Sequence, residues 1–102
     1  MADDFPPAAP ERPTPSGMTF VTFVLSMGRT AAVHFGDVPD PATGRPGAAN
    51  LAAAQQVIDI LGILEEKTRG NLSAEERRLL EQLVAELRLR YVRATGGPGA
   101  GA

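Results

Sequence analysis

Residues 50–91, NLAAAQQVIDILGILEEKTRGNLSAEERRLLEQLVAELRLRY, decide the fold. In the first half, Leu51, Ala54, Val57, Ile58, Ile60, Leu61 and Leu64 recur on one side of a helix turning about 100° per residue, while Gln55, Gln56, Asp59, Glu66 and Lys67 fill the other. Asn50 suits the N-cap, where its side-chain oxygen accepts from an amide that has no partner within the helix. Gly70 is placed to end this helix as a left-handed C′ residue. Ser73-Ala74-Glu75-Glu76 then carries the pattern of a capping box, with Ser73 accepting from the Glu76 amide and the Glu76 carboxylate reaching back to the Ser73 amide. From there Leu79, Leu80, Leu83, Val84, Leu87 and Tyr91 follow at three- and four-residue spacing. Glu75 and Glu76 open this segment and Arg88, Arg90 and Arg93 close it, so both ends match the sign of the helix macrodipole. Joined by only Arg69-Gly70-Asn71-Leu72-Ser73, the two segments predict an antiparallel helical hairpin.

Upstream, the spacing predicts a third helix over 18–35. Phe20, Val21, Phe23, Val24, Leu25, Met27, Ala31, Ala32 and Phe35 cover more than half its circumference and leave Thr19, Thr22, Ser26, Arg29 and Thr30 as a narrow polar strip. The run Thr19-Phe20-Val21-Thr22-Phe23-Val24 also alternates as a strand does, but a lone strand in this chain has no partner for its amides, which favours helix. The fold class expected is therefore all-α, a short three-helix module made of a hairpin and a preceding apolar helix. Its helical domain spans 18–94, between a Pro-rich disordered tail at 1–17 and a Gly/Ala-rich disordered tail at 95–102.

The connection from Gly36 to Gly47 holds Pro39, Pro41 and Pro46, each of which removes an amide donor and fixes φ, so it is neither helix nor inner strand. Asp40-Pro41-Ala42-Thr43 suits a type I turn. Asp37, Pro39, Asp40, Pro41, Thr43 and Gly44 are the candidate recognition loop, against the plainer reading that the segment only routes the chain between helices.

With 102 residues and 43% hydrophobic content the chain supports one domain, and its folded part is small enough that association would add burial it lacks. The net charge is −2, with Asp3, Asp4 and Glu11 in the N-terminal tail, so no basic field for nucleic acid exists. There is no cysteine, which excludes disulfides and thiolate chemistry. The start is acidic and proline-rich, unlike a signal peptide, and no apolar run has the length of a membrane span, so a cytoplasmic location is expected.

Chemistry-bearing constellations are sparse. His34, Asp37 and Asp40 fall close together at the C-terminal end of the first helix, but carboxylates on a proline-stiffened connection seldom converge on a metal, whereas an imidazolium at a helix C-terminus is favoured by the dipole. Ser16, Ser26 and Ser73 have no evident histidine partner, and Gly44-Arg45-Pro46-Gly47 lacks the Lys-Ser/Thr ending of a phosphate loop. The helical glutamates read as a solvated face, with Glu65 to Arg69, Glu86 to Arg90 and Arg77 to Glu81 as i,i+4 pairs. No catalytic residue, metal or cofactor is assigned, and the protein is expected not to be an enzyme.

His34-Phe35-Gly36-Asp37-Val38-Pro39-Asp40-Pro41-Ala42-Thr43-Gly44, Asn50-Leu51 through Ile58-Asp59-Ile60-Leu61, Leu64-Glu65-Glu66-Lys67-Thr68-Arg69-Gly70-Asn71-Leu72, Glu75-Glu76 with Leu79-Leu80, and Glu86-Leu87-Arg88 to Tyr91-Val92 together resemble the bacterial domain-of-unknown-function 1844 family. The resemblance runs from about Phe20 to Val92. It implies a small helical bacterial protein and brings no activity with it.

The apolar surface exceeds what three short helices cover mutually, so the leading expectation is a non-enzymatic, self-associating interaction or scaffold module, most simply a two-fold dimer. Phe20, Val24, Gly28 and Ala32 on the first helix, with Ile63, Leu89 and Val92 off the main stripes of the other two, are the candidate interface. Gly28 also reads as a tight packing point inside one chain, and Gly62 as a packing concession. The alternatives are a peripheral membrane module docking through Phe20, Phe23 and Phe35, opposed by Arg29 being the only cation of the strip, and a nucleic-acid accessory protein using the arginines of the last helix, opposed by the lack of stacking aromatics. A partner that is another protein fits the same surface.

Overall fold

The computed structural model describes residues 13–96, and the readings made for 1–12 and 97–102 lie outside the described residues. Three helices follow one another: α1 (Phe20–Phe35), α2 (Leu51–Lys67) and α3 (Ala74–Ala94). No β-strand is formed among the described residues; Asp40 and Arg45 make one isolated antiparallel bridge inside the first connection. The module is all-α, with the hairpin of α2 and α3 preceded by the apolar helix.

Each helix begins on a side-chain cap. The Thr22 amide donates to the Thr19 hydroxyl at 3.0 Å, so α1 starts two residues later than the periodicity alone suggests, with Met18 outside it. The Ala53 amide donates to Asn50 Oδ1 at 3.0 Å. At Ser73 both halves of the capping box form, Glu76 N–H to the Ser73 hydroxyl at 3.0 Å and Ser73 N–H to Glu76 Oε1 at 2.8 Å. Immediately before α1, the Met18 amide donates to the Thr14 hydroxyl at 3.1 Å and the Thr14 amide to the Met18 carbonyl at 2.8 Å, a turn within the stretch read as tail.

The helix ends differ from expectation at one place. α2 stops at Lys67 with Thr68 as its C-cap, two residues before Gly70. Gly70 is left-handed, at φ 86°, but it serves the next turn, which the Asn71 amide closes on the Thr68 carbonyl at 2.8 Å. The left-handed terminator belongs to α1 instead. Gly36, at φ 81°, donates to the Val33 carbonyl while Asp37 donates to the Ala32 carbonyl, both at 2.9 Å, the paired bonds of a Schellman motif.

Packing follows the stripes except at Ile60, read as part of the α2 stripe but 45% exposed because it stands about a quarter turn off the arc of Ala54, Val57, Ile58 and Leu61. Val24, Ala31 and Phe35 of α1, Ala54, Val57, Ile58 and Leu61 of α2, and Leu80, Val84 and Leu87 of α3 form the buried core, which contains no buried polar side chain among the described residues. Burying one of its Val, Ile, Leu or Phe side chains contributes about 1.5–3 kcal/mol, so this core holds the three helices together. Asn50 N–H donates to the His34 carbonyl at 2.6 Å, tying the start of α2 to the last turn of α1 and making the two antiparallel. α3 then runs in the direction of α1, since Gly28 faces Leu83 near mid-helix and Asp37 meets Arg90 at the C-terminal ends.

Candidate interaction surface

The residues singled out on α1 divide between the core and the outside. Val24 has 0% exposure and is a core residue, not a docking residue, because the stripe it shares with Ala31 and Phe35 is the one that faces α2 and α3. Phe20 is half-buried against that core, and Ala32 is half-buried too. Gly28 is the packing point of α1 on α3: a Cβ there would lie 3.1 Å from Leu83 Cδ1. The Phe20, Phe23 and Phe35 face does not exist as an exposed surface, since Phe35 is buried and only Phe23 stands out.

What α1 does expose is different. Leu25 is 53% exposed, and Phe23 is exposed on the other flank. Between them the hydroxyls of the polar strip bond within the helix: Ser26 donates to the Phe23 carbonyl at 2.8 Å, Thr30 donates to the Ser26 carbonyl at 3.0 Å, and the Thr19 and Thr22 hydroxyls bond each other at 2.7 Å. No charged residue occurs from Met18 to Gly28. The first two turns of α1 therefore present an uncharged outer face.

Contact between α1 and α3 is the thinnest of the three helix pairs. At its C-terminal end it is fastened. Arg90 Nε and Nη2 donate to the two Asp37 carboxylate oxygens at 2.8 and 2.7 Å, and the guanidinium lies 4.8 Å from the Phe35 ring centroid. The hydrogen-bonded Arg90 guanidinium holds the Asp37 carboxyl below its ordinary value, and Asp37 raises Arg90. In the middle Gly28 and Leu83 touch. Towards the N-terminal ends the pair opens into a groove of about 320 Å³ floored by Val21, Leu25 and Leu79, with Glu75, Arg78 and Gln82 on its α3 side.

Ile63, Leu89 and Val92 are exposed, as expected for off-stripe residues, with Ile63 at 57% and Leu89 at 50%. They do not form one patch. Ile63 lies opposite the stripe of α2 and Leu89 opposite that of α3, and helices packed around one core turn their outer faces in different directions. Leu89 belongs to a continuous outer row on α3 that also holds Glu75, Arg78, Gln82, Glu86 and Arg93, all exposed. That row combines the open groove with an exposed leucine, a juxtaposition hidden in the sequence because the groove depends on where α1 lies.

The connection between α1 and α2 is a defined turn. Thr43 and Gly44 donate to the Asp40 carbonyl at 3.1 and 2.7 Å, Ala42 donates to Asp40 Oδ1 at 2.8 Å, and Asp40 N–H donates back to the Arg45 carbonyl at 3.0 Å. Asp40 thus has one carboxylate oxygen engaged in the turn, Asp37 has both of its own on Arg90, and Pro39 and Pro41 are exposed. His34, Asp40 and Pro41 line a cleft of about 260 Å³ with Arg29, Thr30 and Val33. Among the described residues no three His, Cys, Asp or Glu side chains converge as metal ligands. Of the expected i,i+4 pairs, Arg77 and Glu81 approach to 3.8 Å, whereas Arg90 goes to Asp37 and Glu86 accepts from Gln82 at 3.3 Å.

No helix of the described residues is long and apolar enough to cross a membrane. No curated protein matches the chain, and no solved structure matches it either. One family model does, over residues 17–93, which takes in α1, α2 and all but the last residue of α3. Covering most of the chain, that match shows that this protein belongs to the family described as Domain of unknown function (DUF1844).

Proposed function

We propose that this protein is a non-enzymatic interaction module that self-associates, with the outer face of α1 and the neighbouring surface of α3 as the contact. The observation that carries the reading is Leu25, more than half exposed on a charge-free stretch of helix and lining an open groove with Val21 and Leu79. An apolar surface of this kind, rimmed by charged and amide side chains, is what protein contacts use. The expected test is Leu25→Asp, a substitution at a position the core does not need. Helix content and cooperative unfolding are expected to stay as in the parent chain, while the solution mass falls to that of one chain at concentrations where the parent is dimeric. A folded variant that keeps the mass of an associated parent contradicts the reading.

A further inference from the structure

The groove and Leu89 lie on one outer row of α3, about 15 Å apart along the helix at 1.5 Å per residue. Beside the groove are Glu75, Arg78 and Gln82; beside Leu89, on the same row, are Glu86 and Arg93. Among the described residues Glu75 and Arg93 enter no ion pair, and both are exposed. Their order matters. The acid stands at the N-terminal end of the row and the base at the C-terminal end, so a second copy of α3 running antiparallel brings its base to this acid and its acid end to this base.

We infer that the α1–α3 groove is the receptor for Leu89 of a second copy of this chain, the two copies packing α3 against α3 in antiparallel sense about a two-fold axis. The inference rests on the self-association proposed above and adds its geometry. Placing Leu89 of one copy against Leu79 of the other sets Arg93 against Glu75 by the same register, since 79 and 89 and 75 and 93 are equidistant from residue 84, the middle of α3. The same alignment puts Glu86 against Gln82. A two-fold contact repeats every one of these meetings, so each copy offers one groove and one leucine, and the assembly closes as a dimer. Leu25 and Val21 of α1 complete the pocket that takes the leucine, which explains why an uncharged helix face borders it. Parallel packing would set Glu75 on Glu75 and Arg93 on Arg93, which like-charge repulsion disfavours.

Charge exchange between copies tests this arrangement. Glu75→Lys and Arg93→Glu are made separately, and circular dichroism confirms that each chain is folded. Each variant alone juxtaposes like charges twice and is expected to raise the dimer dissociation constant by about tenfold or more. An equimolar mixture is expected to regain the parent's association as a heterodimer, because Lys at 75 then meets Glu at 93 and Arg at 93 meets Glu at 75. No effect confined to one chain gives that recovery. Leu89→Asp is expected to abolish the association outright in a folded chain. If the parent dimerises but neither the single variants nor Leu89→Asp changes its mass, the contact lies elsewhere and this geometry falls while self-association stands. A parent that is monomeric throughout overturns both.

Discussion

Two glycines in helices of the same core are expected to behave oppositely. At Gly62 an added Cβ meets only the tip of Arg88, at 3.4 Å, which a long exposed side chain yields easily. Gly62→Ala is therefore expected to stabilise the fold by about 0.5–1 kcal/mol through helix propensity, read as a higher midpoint in chemical denaturation. At Gly28 the space is occupied by Leu83, so Gly28→Leu is expected to force α1 off α3 at a cost of about 1–3 kcal/mol. If both substitutions shift the midpoint the same way, the placement of α1 on α3 is wrong. Spacing in the sequence made Gly28 a packing point, but only the fold distinguishes it from Gly62.

Asp37 illustrates a contact that spacing cannot disclose. Glu86 stands four residues before Arg90 and looks like its partner, yet the guanidinium turns to a carboxylate 53 positions away. The reason is local: Gly36 ends α1 in a left-handed turn, and the residue after it is fixed to the last turn of α1, within reach of Arg90, by its N–H donating to the Ala32 carbonyl. Because the bond to Arg90 lowers the Asp37 carboxyl below its unfolded value, its stabilising effect is present above that value and is lost as pH falls through the lower, folded one. The parent chain is expected to melt above Asp37→Asn at neutral pH, with the gap closing below about pH 4. A gap that stays constant down to acid pH would show that the charge of Asp37 is not what fastens the loop.

Among elements, the hairpin was the most legible. Asn50, the reciprocal bonds of Ser73 and Glu76, and the stripes of α2 and α3 all act within a few residues of one another, so the amino acids alone carry the physics. Ser73→Ala is expected to cost about 1 kcal/mol and to fray the first turn of α3, seen as faster amide exchange at Glu76 and Arg77 with the centre of the helix unchanged. Uniform loss of protection along α3 would mean that the cap is not a local device. α1 was legible as a helix because no strand exists to pair with it, but its faces were not. With more than half its circumference apolar, periodicity cannot say which arc turns inward, and Val24 reads as well for the surface as for the core. Packing decides it: the arc of Val24, Ala31 and Phe35 faces two helices, which leaves Leu25 and Phe23 outside.

At the scale of the molecule, ten core residues and three capped helices make a module whose outer apolar side chains lie on several faces. Ile63, Leu89 and Val92 were recognisable one by one as off-stripe, while the groove at Val21, Leu25 and Leu79 was not, since it arises between helices that meet only through the third dimension. Family membership adds the extent of the module, residues 17–93, and no chemistry. The proposed role therefore rests on surface. The measurement that bears on it most directly is the solution mass of the full chain by light scattering over a wide range of concentrations. The expected result is a species of twice the 10.7 kDa chain mass that dissociates only on dilution. A folded chain that stays at 10.7 kDa at every concentration would contradict self-association.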